Sequence, residues 1–254
     1  MVARASPGGW GAWLRALLDH GERQLAALGV TLALGFAAGL LSLYLFAVLA
    51  TEVARQQTDL LDLGVLAWLR QYQSPALDTL AQAISFMGSE GVAVLLVVLL
   101  VAFGLRGRWG AAVGLVVVAG GAQLLNDALK ELFHRTRPAT VLGTLPMQAF
   151  SFPSGHAMVS AAFYLFLAYL SWRVLHGWAR TACTVALLVL VLAIGLSRLY
   201  LGVHYLTDVL AGYLAGLLWT DAVILGGQAL GRRRARRRPA APASETPDET
   251  PSTA

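Results

Sequence analysis

Three short polar segments interrupt an otherwise apolar chain, and their residue types together could do phosphate chemistry. The first runs from Lys130, the single lysine of the chain, to Pro138, the second is Pro153-Ser154-Gly155-His156, and the third runs from Ser197 to Asp208. Together they supply three fixed cations, a His–Asp pair and a second histidine. Such groups can hold a phosphate, attack its phosphorus atom and protonate the oxygen that leaves.

The spacing within the first segment predicts a helical continuation of the apolar run before it. Lys130 and Arg137 are seven residues apart, close to two helical turns, so they would lie on one helical face together with His134. Arg135 would point away from that face, as a solvated loop charge does, and Pro138 would end the helix. Taken alone, the segment is equally compatible with a basic helix end that reaches towards the lipid headgroups.

The second segment precedes a long apolar run and has the composition of a helix start. Ser154 is suited to the N-cap position, and Gly155 permits another group to approach the backbone closely. The exposed N–H groups and the dipole of the helix would form an anion site. An ordinary helix cap would show the same four residues, so this segment indicates an anion site only in combination with the other two segments.

The third segment predicts an oriented histidine. His204 and Asp208 are four residues apart and would face the same side of a helix. The carboxylate could accept a hydrogen bond from one imidazole nitrogen and leave the other nitrogen free as a nucleophile. Arg198, six residues before His204, offers paired donors that match phosphate oxygens. A purely structural His–Asp pair at a helix start is the alternative.

The elements that must position these segments are membrane helices. Apolar residues make up 57% of the 254 residues and charged residues only 13%, which is about half the charged fraction of a soluble domain. Several apolar runs reach the ~20 residues that span a bilayer. The sequence therefore predicts an all-α bundle of six transmembrane helices. Their expected ranges are 27–50, 84–105, 110–129, 154–175, 181–196 and 205–230, with short helices in residues 51–82.

The domain layout follows from composition. Residues 1–26 would form a cytoplasmic or interfacial segment, residues 27–230 the membrane domain, and residues 231–254 a basic and then disordered cytoplasmic tail. A basic run can bind nucleic acid, but directly after a spanning helix it is more typical of contact with anionic membrane lipids, so no nucleic-acid partner is expected. Cys183 is the single cysteine, which excludes an intrachain disulfide.

The distribution of basic residues predicts the orientation of the bundle. With six spans and both termini inside, 13 of the 19 Lys and Arg residues are cytoplasmic and six are extracytoplasmic, which obeys the positive-inside rule. All three polar segments then lie on the extracytoplasmic face. The count of basic residues does not assume that the three polar segments lie together. Their common location on one face therefore favours one shared site.

The pattern Lys130-x6-Arg137-Pro138, Pro153-Ser154-Gly155-His156 and Ser197-Arg198-x5-His204-x3-Asp208 resembles the signature of the type 2 phosphatidic acid phosphatase superfamily. The match spans residues 130–208 and departs from the signature at none of these positions. The six-span layout is similar to that of the integral-membrane lipid phosphate phosphatases of the superfamily. Vanadate-dependent haloperoxidases share the phosphate pocket but are soluble, so the six spans argue against that branch.

The resemblance implies a role for each residue of the pattern. His204 would attack phosphorus and form a phosphohistidine, Asp208 would orient it, and His156 would protonate the leaving oxygen and then activate water. The phosphate-binding residues that it implies are Lys130, Arg137, Ser154, Gly155 and Arg198. Family members of this kind need no metal, and no cofactor is expected.

The leading hypothesis is a lipid phosphate phosphatase on the outer face of a bacterial cytoplasmic membrane, an origin favoured by the use of Arg over Lys and by the Ala and Gly content. Expected substrates, which the sequence does not rank, are phosphatidic acid, phosphatidylglycerophosphate and polyprenyl pyrophosphates such as undecaprenyl pyrophosphate. The alternative is a lipid or anion transporter with the same outer cationic pocket, although only Asp221 is a candidate for a polar path to the inner face. A non-catalytic lipid-binding scaffold is the third hypothesis, and the oligomeric state is not predicted.

Overall fold

The computed structural model describes residues 33–138 and 150–236, with side chains described up to residue 231, and every regular element within these ranges is an α-helix. The first helix is α1 (Ala33–Ala54). The others, in chain order, are α2 (Asp59–Arg70), α3 (Pro75–Phe86), α4 (Glu90–Leu105), α5 (Trp109–Phe133), α6 (Gly155–Trp172), α7 (Gly177–Tyr200) and α8 (Leu206–Arg236). The expected segment 1–26 and the tail beyond residue 236 lie outside the described residues.

Six stretches of the described chain are long and apolar enough to cross a membrane. They are α1, α3 together with α4, α5, α6, α7, and α8 as far as Gly231. The predicted all-α bundle of six membrane helices is therefore confirmed. The short helix α2 falls within residues 51–82, where short helices were expected, and lies outside the six spans.

The second span is longer than the sequence predicted because two helices form it. The expected start is near Ile84, whereas α3 begins at Pro75 and already belongs to the span. Proline suits a first helical position, where its missing N–H would have no partner. A turn at residues 87–89 separates α3 from α4. The hydroxyl of Tyr164 in α6 donates to the Met87 carbonyl at 2.6 Å, which fixes this turn against the centre of the bundle.

Helices α6 and α8 pack with almost no side chain between their backbones. Two glycines of α8 make this contact possible. A Cβ atom at Gly212 would lie 2.7 Å from the Ser154 carbonyl oxygen, and one at Gly216 would lie 2.5 Å from the Met158 carbonyl oxygen. Because Cβ atoms do not approach backbone oxygens so closely, only glycine fits at either position. The contact fixes the start of α6 against the start of α8.

The direction of the spans brings the three polar segments to one end of the bundle. α1 runs antiparallel to α8, since Gly35 lies near Leu225 at one end and Ala50 packs with Ala211 at the other. Successive spans alternate in direction. The end of α5, the start of α6, the end of α7 and the start of α8 therefore meet, and α2 lies over the same end, with Leu69 packed in one cluster with residues of α6, α7 and α8.

Candidate active site

The first polar segment leaves the helix earlier than predicted. His134 is the C-cap of α5, with a left-handed backbone (φ 48°), and its N–H donates to the Lys130 carbonyl at 3.0 Å. The prediction that Lys130 and Arg137 share one helical face is wrong, because the helix ends between them rather than at Pro138. Lys130 stays in the last turn of α5, while the chain after His134 turns across the end of the bundle.

Arg137 reaches the third polar segment from this turn. Its Nη1 donates to the Val203 carbonyl at 3.0 Å and lies 3.4 Å from His204 Nε2. Burial lowers the pKa of Arg137, and the negative charge of Asp208 opposes that effect. The guanidinium is therefore held partly desolvated beside the imidazole, where it can donate to an anionic group that approaches this nitrogen.

Ser154 joins the second and third segments. It is the N-cap of α6, as predicted, but its hydroxyl makes no capping hydrogen bond. Its N–H donates to the Asp208 carbonyl at 3.0 Å. The Ser154 Oγ atom is buried and has no hydrogen-bond partner among the described residues. An unpaired buried hydroxyl costs ~1–3 kcal/mol, so this group is available to a ligand or a water molecule.

Gly155 begins α6 in close contact with α5. A Cβ atom there would lie 2.9 Å from Asn126 Oδ1. Asn126 is fully buried, and its Nδ2 donates to the Pro153 carbonyl at 3.2 Å. Sequence reasoning assigned Asn126 no role, and the available signal was an amide in an apolar helix one turn before Lys130. This side chain holds the start of α6 against the end of α5.

His204 and Asp208 are paired, although only one of them belongs to a helix. α8 begins at Leu206, so His204 precedes it. Its Nδ1 lies 3.3 Å from Asp208 Oδ2, and the two side chains are 2% and 0% exposed. Burial lowers the pKa of His204 to about 4, against the hydrogen bond and charge of Asp208, and the positive charges nearby lower it further. The imidazole is therefore neutral at pH 7.

Three cations and the second histidine complete the cluster. Arg198, in the last turn of α7, donates from Nη1 to Ser85 Oγ of α3, and its Nε is buried without a hydrogen-bond partner among the described residues. The charges of Lys130, Arg137 and Arg198 act on one another. His156, the second residue of α6, interacts with Arg198, His204 and Lys130. Three mutually repelling cations of this kind favour an anion between them.

Arg135 is the residue that sequence reasoning placed wrongly. The expected solvated side chain is only 11% exposed and bridges two fully buried carboxylates. Nη1 donates to Asp208 Oδ1 and Nη2 donates to Asp62 Oδ2, each at 2.7 Å. Although burial lowers the pKa of Arg135, the two carboxylates outweigh it and raise the pKa. The physical reason for the error is the end of α5 at His134, which turns the next residue inward.

The sequence model described as the PAP2 superfamily matches residues 111–232. A Bacillus subtilis protein named phosphatidylglycerophosphatase B is 33% identical over 182 residues, which cover 70% of this chain and 89% of the relative. A Mycobacterium tuberculosis protein named decaprenylphosphoryl-5-phosphoribose phosphatase is 31% identical over 172 residues, which cover 65% of this chain and 87% of the relative.

A solved structure gives the same result for the fold. The crystal structure of a transmembrane PAP2-type phosphatidylglycerolphosphate phosphatase from Bacillus subtilis superposes with a TM-score of 0.69 at 28% sequence identity. The match covers 79% of this chain and 98% of that one. The relatives are thus matched over most of their own length, and the residues matched by the family model include all three polar segments.

Proposed function

The chain belongs to the PAP2 superfamily, and on that premise we propose that it is a membrane phosphatase that hydrolyses a lipid phosphate through a phosphohistidine on His204. The observation that carries the proposal is the environment of this imidazole. Nδ1 faces the Asp208 carboxylate at 3.3 Å, and Nε2 faces Arg137 at 3.4 Å. A neutral histidine with Nδ1–H donated to a carboxylate presents an unprotonated Nε2 to a phosphate held by the cations.

In the first step Nε2 of His204 attacks phosphorus and the bond from phosphorus to the leaving oxygen breaks. His156 gives its proton to that oxygen, so the product leaves as an alcohol or, from a pyrophosphate, as a monophosphate. In the second step His156 takes a proton from water, and the oxygen attacks the phosphohistidine. Phosphate leaves and His204 is regenerated. The charge that Nδ1 gains during attack is balanced by Asp208.

Phosphate binding is assigned to the cations and to the start of α6. Lys130, Arg137 and Arg198 would neutralise the equatorial oxygens, whose charge changes most during transfer. The Ser154 hydroxyl and the Gly155 N–H would donate to the same group, aided by the dipole of α6. Within the described part of the chain, Ser154 Oγ and Arg198 Nε have no hydrogen-bond partner, which supports this assignment.

An apolar cavity beside this site could hold the lipid tail. A cavity of about 490 Å³ lies between α2, α3 and α7. Ile84 and Ser197 line it, and each is followed in the chain by a member of the contact between Ser85 and Arg198. A chain lying in this cavity would place its phosphate at Arg198. Phosphatidic acid, phosphatidylglycerophosphate and polyprenyl pyrophosphates all combine an apolar chain with a terminal phosphate group.

Phosphate release by the purified protein tests the activity. Each of these lipids is assayed in detergent micelles with EDTA present, because we propose that no metal takes part. Wild type should release phosphate from at least one of them, and His204→Ala should lose turnover by several orders of magnitude. His176→Ala is the matched control, since His176 is exposed at the opposite end of the bundle. Binding without hydrolysis would favour the transporter instead.

The location of the site is a separate proposal. We place it on the extracytoplasmic face of the inner membrane, with both termini cytoplasmic, because of the positive-inside distribution. In a Cys183→Ser background, an impermeant maleimide should label Glu131→Cys in intact cells, but not Arg106→Cys. Both positions are exposed, and they lie at opposite ends of α5. The reverse labelling pattern would contradict this orientation.

A further inference from the structure

Arg135 is an arginine of the candidate site whose positive charge is already matched by protein carboxylates. Its Nη1 donates to Asp208 Oδ1 and to Thr207 Oγ1, and its Nη2 donates to Asp62 Oδ2, all at 2.7 Å. Its guanidinium also lies over the Tyr205 ring, 4.2 Å from the ring centroid. The half-exposed carboxylate of Asp59 lies 3.6 Å from Nη2 as well. With three carboxylates, a hydroxyl and an aromatic ring around it, this side chain differs from the cations that face the phosphate site.

The contact with Arg135 determines how Asp208 meets the nucleophile. The Oδ2 atom of Asp208 accepts from the Tyr205 N–H at 3.0 Å and faces His204 Nδ1 at 3.3 Å. Its Oδ1 atom accepts from Arg135. Rotation of the carboxylate away from the imidazole would break the charged hydrogen bond to Arg135. The guanidinium therefore fixes the plane of the group that orients His204.

Asp62 fixes Arg135 in turn. This carboxylate belongs to α2, the helix outside the six spans, and is fully buried. It accepts from the Thr207 N–H at 3.0 Å and from the Thr207 hydroxyl at 2.6 Å, in addition to Arg135. A buried guanidinium between two buried carboxylates makes a row of alternating charges. Removal of either end would leave a buried charge with one partner fewer.

We propose that Arg135 and Asp62 are positioning residues for the nucleophile: Arg135 orients Asp208, and Asp62 holds Arg135 from α2. Neither residue touches the phosphate. The inference rests on the proposed function, since it assigns both residues to the step in which His204 attacks phosphorus. It extends the site to a helix outside the membrane spans and to a residue, Asp62, that lies outside the three polar segments.

The test separates turnover from phosphate binding. Arg135→Gln should lower kcat by on the order of 10- to 100-fold, as misplacement of a reacting group by a fraction of an ångström to an ångström does. KM and the inhibition constant of inorganic phosphate should stay within about threefold, because the phosphate cations are intact. Arg135→Lys should recover part of kcat. Arg70→Gln is the matched control, since Arg70 is an exposed arginine at the end of α2.

Asp62 supplies the second arm. Asp62→Asn keeps an oxygen that can accept from the Thr207 N–H, so it should lower kcat less than Arg135→Gln does. The double variant should be less slow than the product of the two single effects, because Asp62 acts largely through Arg135. If thermal melting shows that Arg135→Gln does not fold, Arg135→Lys and Asp62→Asn replace it. A lower kcat with unchanged KM and phosphate inhibition in these variants then supports the positioning role, and an unchanged kcat in both contradicts it.

Three outcomes would overturn the proposal in distinguishable ways. An unchanged kcat in Arg135→Gln, with His204→Ala inactive, removes the positioning role and leaves the proposed function standing. A loss that appears in KM and in phosphate inhibition, with kcat unchanged, makes Arg135 a phosphate ligand. A wild-type protein that hydrolyses no lipid phosphate removes the proposed function and this inference with it.

Discussion

Replacement of Gly212 by alanine tests whether the contact between α6 and α8 sets the geometry of the active site. The added Cβ atom would lie 2.7 Å from the Ser154 carbonyl oxygen, 2.9 Å from Ala157 Cβ and 3.1 Å from the Met158 nitrogen. Non-bonded carbon atoms are in favourable contact at about 3.5–4.0 Å. The helices must therefore separate by roughly 1 Å, because backbone atoms cannot rotate away as a flexible side chain would.

Separation of α6 from α8 would displace Ser154 relative to Asp208. The Ser154 N–H donates to the Asp208 carbonyl at 3.0 Å across the same contact. A displacement of about 1 Å at a reacting group lowers the rate by on the order of 10². Overpacking of this kind destabilises a fold by about 1–3 kcal/mol. We therefore expect Gly212→Ala to remain folded in detergent while its kcat falls by about two orders of magnitude.

The assay is phosphate release from the preferred lipid phosphate, with thermal melting measured on the same preparation. Gly227→Ala is the matched control, because Gly227 lies in the same helix and no atom of the described residues would come within 4 Å of an added Cβ atom. Alanine there should leave kcat unchanged and should stabilise the helix by about 0.5–1 kcal/mol. Turnover of Gly212→Ala within twofold of wild type would show that the contact between α6 and α8 does not control the site.

Three further measurements follow from the geometry. Burial holds the pKa of His204 at about 4, so the acid limb of kcat/KM, corrected for ionisation of the substrate, should fall near pH 4; a limb near 6.5 would contradict a buried neutral nucleophile. Ser154→Ala should lower kcat/KM by on the order of 10-fold or more through loss of one donor to the phosphate, and unchanged kinetics would remove Ser154 from the site. Ala193→Phe fills the cavity between α2, α3 and α7 and should raise KM for long-chain lipids but not for a short-chain phosphate ester, whereas Val189→Phe, on the exposed face of α7, should change neither.

The sequence was sufficient for the parts of the molecule that depend on local pattern. Apolar runs identified the six membrane helices, because length and hydropathy alone decide whether a helix can span a bilayer. The ends of these helices depend on more than hydropathy. The second span begins at Pro75 rather than near Ile84, because α3 continues into α4 across the turn at residues 87–89 and helical periodicity alone does not show such a turn.

The parts that depend on one backbone torsion or on a distant partner could not be predicted. The left-handed conformation of His134 ends α5, so Arg135 turns inward and Arg137 reaches His204 from the chain after the helix. Non-glycine residues rarely adopt this conformation, so helical continuation was the better expectation from sequence. The role of Asp62 could not be predicted for another reason. Its partner Arg135 lies 73 residues away in the chain, and no spacing rule connects the two residues.

Arginine therefore has two proposed roles at this end of the bundle, and the two roles differ in which group supplies the negative charge opposite the guanidinium. Arg135 donates to two buried carboxylates, so its charge is balanced before any substrate arrives. Arg198 donates to the neutral hydroxyl of Ser85 and has a buried Nε without a hydrogen-bond partner in the described chain. The charge of the Glu90 carboxylate also acts on Arg198, and a phosphate would add a second negative charge there. Because a guanidinium is costly to bury without a counter-charge, we propose that the buried carboxylates hold Arg135 to orient Asp208, whereas a phosphate completes the surroundings of Arg198.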